Sequence, residues 1–467
     1  MPRTPGIVSA NPDARCKHTL VRFAFVAALV AGCGGPAAST PAAPPRSSPS
    51  ASAQAAPEPT PTPASTSPGG PPPATTPPTQ ALIDFLVDRV TADPDDGDAQ
   101  LELGYALLQR IRETGDPSLY GVAERAFDAA RRLLPGDPRP LVGIGGLQLG
   151  RHEFEAALDS GEAALELDAS DSSASAVIVD ALIELGRYEE AFPAVEDLVR
   201  TSVDLTTLAR LSYARELQGD LDGALAAMRE AADSPSVAAE NTAFALSLVG
   251  QLERLNGDAA AARAAYEAAL DLAPDYAPAL AGLGRLAVGD GDLDGAIGYF
   301  ERAAGILPLA EYVIALGETL EAAGDTVGAR RQYELARAQL TLFEASGVIV
   351  DVEFALFEAD HGDAGPALRL AEAAYGATPT VRAADALAWA LHRSGRDDEA
   401  WERSQEALRL GSRDPLLQFH AGVIAAALGD GVAARDHLEA ALATDPGFSA
   451  TGARAAQAVL DGLSLHP

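Results

Sequence analysis

The sequence predicts an all-α solenoid of stacked two-helix units, and three columns of residues predict it. Alanine recurs at Ala123, Ala157, Ala191, Ala224, Ala262, Ala296, Ala329, Ala367, Ala400 and Ala434, with seven of the nine intervals 33 or 34 residues long and two of 38. Glycine stands five residues before that alanine in eight of the ten copies, from Gly186 to Gly429. Seven residues after it comes a second alanine in nine copies, Leu198 being the exception, and twelve after it proline recurs at Pro135, Pro274, Pro308, Pro379 and Pro446. Self-similarity at one fixed period marks a chain whose unit cannot bury its apolar face alone and must stack on its neighbours.

The elements follow in chain order. Arg15, Lys17 and Arg22 precede the apolar run from Phe23 to Ala31, which is too short to span a bilayer as a helix and reads as the core of an export signal over residues 1–32. Residues 33–80 are mostly Pro, Ala, Ser, Thr and Gly, too poor in apolar surface to fold, and predict a semi-stiff spacer. Residues 81–94 read as a capping helix, 95–447 as about ten repeats, and 448–467 as a second capping helix with a tail. Within each repeat the alanines let two helices approach closely. A large residue four positions after the ladder alanine (Phe127, Val195, Met228, Tyr266, Phe300, Tyr333, Leu438) fills the space between units. The turn glycine tolerates positive φ, an aspartate after it suits a helix start, and the proline ends the second helix. The first copy carries an insertion, "RETGDPSLYG", and the two long intervals imply longer helices or loops around 233–241 and 341–350.

These columns, with Leu103-Gly104, Leu283-Gly284 and Leu316-Gly317 in the first helix of their units, resemble the tetratricopeptide repeat family over about residues 95–450. The resemblance implies an α-solenoid wound as a right-handed superhelix, with a concave groove lined by first helices. Gly161, Ala371 and Ser404 depart from the family by standing in the large-residue column. At the other end of the chain, Val30-Ala31-Gly32-Cys33 resembles a bacterial lipobox. That resemblance implies cleavage before Cys33 and diacylglycerol on its thiol, hence a lipid-anchored protein of the cell membrane or outer membrane, on the extracytoplasmic side.

Charge and composition narrow the chemistry. Thirty-four Lys and Arg stand against 67 Asp and Glu, a formal charge of −33. Residues 1–80 carry a net +3, so the charge of the rest is −36, a field that repels phosphate backbones and excludes nucleic acid as the expected partner. Lys17 is the only lysine, and Cys16 and Cys33 are the only cysteines. Beyond Lys17 there is thus no lysine for a phosphate-binding loop or a Schiff base, and no cysteine cluster for a metal. His152, His361, His392, His420 and His437 are scattered singly. No catalytic residues, cofactor or metal are expected. "DGDLDGAIGYFE" (290–301) fits the pattern of a calcium-binding loop, with Asp290, Asp292, Asp294 and Glu301 as ligands. Its sister "GDLDGA" at 219–224 keeps the turn but has Gln218 and Arg229 where Asp290 and Glu301 stand. The repeat register predicts a turn with aspartate helix caps instead, and no calcium is expected.

The resemblance implies binding of a protein or peptide in the groove. Its groove positions fall on Tyr105, Tyr213, Gln251, Arg254, Arg285, Glu318, Asp385, Trp389 and His392. Asp385, Trp389 and His392, spaced four and three apart, share a helical face. Trp389 suits either the groove or the packing between repeats. The expected function is a non-catalytic, lipid-anchored scaffold that recruits a protein or peptide. An assembly factor for a pilus or secretion complex, similar to pilot lipoproteins, and a regulatory subunit of an envelope enzyme are the alternatives.

Overall fold

A computed structural model describes residues 78–114, 116–234, 239–345 and 352–465. The export signal, Cys33 and the spacer up to residue 77 lie outside the described residues, as do parts of both long intervals. Among the described residues the regular elements are 22 α-helices and one 3-10 turn, with no strand. α1 (Pro78–Ala92) begins before the expected residue 81 and packs on the first unit. Ten helix pairs follow: α2 (Gly97–Thr114) with α3 (Tyr120–Leu133), α4 (Arg139–Gly150) with α5 (Phe154–Leu167), α6 (Ser172–Glu184) with α7 (Tyr188–Thr201), α8 (Leu205–Leu217) with α9 (Leu221–Asp233), and α10 (Ala239–Leu255) with α11 (Ala259–Leu272). The second half continues with α12 (Ala277–Gly289) and α13 (Leu293–Ile306), α14 (Ala310–Ala323) and α15 (Thr326–Ala345), α16 (Val352–His361) and α17 (Ala364–Ala377), α18 (Val381–Arg393) and α19 (Asp397–Ala407), α20 (Pro415–Ala427) and α21 (Gly431–Thr444). α22 (Gly452–Leu465) closes the stack. The insertion of the first copy forms the 3-10 turn Pro117–Leu119.

The three columns explain why these segments pack as pairs. All ten ladder alanines are buried, as are the ten residues seven positions on. In the first and fifth copies the large residue of the second helix sits against glycines of two first helices, its own and the next. Phe127 packs on Gly104 of α2 and on Gly143 of α4, and a Cβ at Gly104 would come within 2.5 Å of its ring. Tyr266 does the same with Gly250 of α10 and Gly282 of α12. No side chain fits where these rings lie, so the glycines fix the distance between helices.

Seven of the eight turn glycines have positive φ, from Gly186 at 71° to Gly324 at 90°; Gly362 is the exception. In the second copy the same position is taken by His152, the one non-glycine with positive φ among the described residues, at 63°. After the turn, Asp220, Asp258, Asp292, Asp325 and Asp430 each accept a hydrogen bond from the backbone N–H three residues on. At the calcium-like stretch only Asp292 is such a cap, which corrects the expectation for its neighbours. Asp290 pairs with Arg263 at 2.9 Å, and Asp294 lies in the first turn of α13. Because α13 begins at Leu293, residues 293–298 are helix, whereas a calcium loop needs them open.

The stack also meets itself. The turns and first helices of units three to seven touch units nine, ten and α22, residues 131 to 193 positions away. The Val381 N–H donates to the Tyr188 hydroxyl at 3.1 Å, and the Arg409 guanidinium lies 5.3 Å over the Tyr188 ring. Gly186 abuts the Pro379 carbonyl, and Gly219 abuts that of Gly411. Arg254 pairs with Asp445, the Ser449 hydroxyl donates to Glu318 at 2.9 Å, and Arg454 donates to the Ala322 carbonyl at 2.8 Å. One superhelical turn thus brings the late units onto the early ones along a polar seam.

Candidate functional site

Closure along the seam converts the concave side of the superhelix into two adjoining cavities. The larger, about 600 Å³, lies between the first helices α6, α8, α10, α12 and α14, and is closed by the starts of α16, α18 and α20. The smaller, about 490 Å³, continues between α12, α14, α16, α18 and α20 toward α22. Arg285, Glu311, Glu353, Leu416 and Phe448 line both, so the two meet at this ring of residues.

One position in the repeat supplies the lining. The residue eleven before the ladder alanine is Tyr213, Gln251, Arg285, Glu318, Leu356, Trp389 and Val423 in copies four to ten, and each lines one of the cavities. In three of these helices the residue just before this position, Gly250, Gly284 or Gly317, about 100° round the helix, packs on the ring of a second helix. In copy three the same position is Asp180, which is fully buried and receives both forks of Arg210 at 2.8 and 2.6 Å.

Of the residues expected in the groove, Tyr213, Gln251 and Arg254 line the larger cavity, Glu318, Trp389 and His392 the smaller, and Arg285 both. Tyr105 lies in neither: its hydroxyl donates to the Arg139 carbonyl at 2.8 Å and its ring meets Phe127 edge-on. Asp385 is buried between helices, 2.9 Å from His420 Nδ1. It shares a helical face with Trp389, but the partner on the next first helix takes it up. Trp389 is itself 5% exposed. Its indole N–H donates to Asp360 at 2.8 Å and its ring stacks on His420, with centroids 4.3 Å apart. The side chain is therefore both a packing element and part of the cavity wall.

The sequence reading missed the groups that set the electrostatics. Glu184 and Glu216 stand at the C-terminal ends of α6 and α8 and open into the larger cavity. Burial pushes both carboxyls up to about 7; Arg382 opposes the shift in each, while Asp180 and Glu353 add to it at Glu184 and Asp414 at Glu216. Gln251 donates to Glu216 at 3.3 Å. Burial likewise raises the Tyr213 and Tyr276 hydroxyls, with Glu184 and Glu240 contributing. In the smaller cavity burial raises the Asp360 carboxyl. His361 is lowered by burial, but its hydrogen bond to Glu318 and the charge of Asp360 leave it raised. Glu216, three residues after Tyr213 on the same face, was within reach of the periodicity. Arg382 and Asp414 were not, since only superhelical closure brings them across.

The family model described as "Tetratricopeptide repeat" matches residues 250–312, which hold the end of α10, all of α11, α12 and α13, and the start of α14. Among solved structures, a human IFIT1 dimer with PPP-AAAA is 14% identical, with a TM-score of 0.46 over 71% of this chain and 79% of that one. YrrB, a TPR protein with an unusual peptide-binding site, is 21% identical, with a TM-score of 0.30 over 43% of this chain and 99% of its own. A thermophilic TPR protein of Thermus thermophilus is 22% identical, with a TM-score of 0.35 over 44% of this chain and 98% of its own. No curated protein matches the sequence. Similarity to the tetratricopeptide repeat is thus shown for residues 250–312 of the stack.

Proposed function

We propose that the chain is a non-catalytic scaffold that takes a peptide segment of a partner protein into the interior of its superhelix, held at an extracytoplasmic membrane face by lipid on Cys33. The observation that carries the binding reading is the column eleven before the ladder alanine. Seven successive units turn chemically different side chains, among them Tyr213, Gln251, Arg285, Glu318 and Trp389, toward the two adjoining cavities. The packing columns hold small or apolar side chains almost throughout, whereas this one mixes charged, polar, aromatic and aliphatic residues at the cavity walls. This one varies from unit to unit, as a surface reading a sequence must.

A photoreactive residue in place of Gln251 tests the location. Partner cross-links should form there and be absent when the same residue replaces the exposed Glu267 on α11. Equal cross-linking at both places would remove the interior from consideration. The anchor is tested separately. Cys33→Ser should release the chain from the membrane fraction or stop its processing, and normal fractionation and maturation would contradict lipidation.

A further inference from the structure

The larger cavity is acidic out of proportion to its cations. Eight carboxylates and four arginines line it among the described residues. Two of the arginines are engaged locally, Arg254 with Asp445 and Arg285 with Glu311. Arg382 is the cation that acts on both Glu184 and Glu216, and Asp180, Glu353 and Asp414 surround these two with further negative charge; Arg254 also acts on Glu216. Walls of Tyr213, Phe244, Tyr276, Tyr312 and Phe448 complete the space. Arg254 Nε, a buried donor in the wall, has no hydrogen-bond partner.

We propose that this cavity accepts an extended, basic peptide segment, with a lysine or arginine side chain paired to Glu184 and Glu216. The inference rests on the peptide-binding reading above and adds its chemical class. The cation supplies the charge the cavity lacks, in a place where water screens little. Its aliphatic stem and charged head suit the tyrosine and phenylalanine walls. The two adjoining cavities form an elongated space, which suits an extended chain better than a compact cation. The adjoining smaller cavity, where five carboxylates face two arginines, gives the segment room to continue past Arg285 and Phe448. Both glutamates lie near half-protonation at neutral pH because of their burial, so an incoming cation displaces protons from them.

Calorimetry on the purified full chain with capped hexalysine tests this at neutral pH and about 0.15 M salt, where exposed charges are screened beyond ~8 Å. Two buffers of different protonation enthalpy report the protons released. Saturable binding with proton release is expected, weakened about tenfold or more by Glu184→Gln/Glu216→Gln. The exposed pair Glu189→Gln/Glu196→Gln should leave it unchanged. Equal loss in both double variants, or none in the first, means adsorption to the acidic exterior and overturns the proposal. Spermine binding as tightly as hexalysine overturns the assignment to a peptide. Preference for hexaglutamate overturns the cationic class while leaving peptide binding standing. Failure of every peptide removes both.

Discussion

Trp389 is held on several sides: Asp360 takes its N–H, His420 and His392 stack on its faces, and Phe419 lies 5.7 Å away. Truncation removes those contacts together, so Trp389→Ala should cost about 3–5 kcal/mol in urea unfolding. A loss below about 1 kcal/mol would mean the ring contributes little packing and belongs to the cavity alone. At the calcium-like stretch the two aspartates of different geometry separate cleanly. Asp292→Ala removes a helix cap and should cost about 1 kcal/mol. Asp290→Asn removes only an exposed ion pair with Arg263 and should be near neutral by the same measurement. Equal losses would contradict the assignment of the cap. The sequence showed the register of this turn but not which aspartate serves it, because capping depends on backbone direction at the turn and not on charge.

The helix pair is the scale at which the sequence was most legible. Ala296 is fully buried between α12 and α13, and Phe300, one turn on, packs on Gly284. Both were readable as columns, since the same local geometry recurs in every unit and leaves the same residue types behind. Ala296→Leu overpacks this contact and should cost about 1–3 kcal/mol. Hydrogen exchange should rise in α10 to α15 and leave α2 to α5 protected, as expected of a stack whose units touch only neighbours. Loss of protection over the whole chain would instead mean that the seam welds the stack into one cooperative body. His152 was the exception that column reading passed over. Its positive φ is a conformation that costs a side-chain residue ~1–2 kcal/mol, and it stands at the rim of the larger cavity.

At the scale of the molecule the superhelical closure was invisible in the sequence. Each unit is rotated slightly on the last, and no single interval encodes where the sum of those rotations brings Pro379 to Gly186. The closure is testable with two glycines of like conformation. Gly186 and Gly257 have φ of 71° and 83°, but a Cβ at Gly186 would lie 2.7 Å from the Pro379 carbonyl, whereas at Gly257 it meets nothing within 4 Å. Gly186→Ala should therefore open the seam and raise the radius of gyration in X-ray scattering, and Gly257→Ala should strain its turn without changing the size. Identical scattering would place the seam contact at too little energy to hold the ring. The two cavity glutamates give the closed form a pH dependence. Glu184 and Glu216 titrate near 7 in the fold and near their ordinary values when unfolded, so the folded chain binds more protons between about pH 4.5 and 7. The stability they confer is present at the acidic end of that window and lost as pH rises through 7. His361 and His420, both raised, act in the same direction. The melting temperature should be higher at pH 5.5 than at pH 8, and Glu184→Gln/Glu216→Gln should flatten the slope. A melting temperature that climbs with pH over this interval would contradict the assignment.

The seam also has a kinetic consequence. A segment lying between α6, α8, α10 and the starts of α18 and α20 would have the seam, with its Val381–Tyr188 hydrogen bond, across one side of its path. Its escape on that side would require the seam to open as well as its own contacts to break. Release of a guest would then be coupled to the opening of the seam.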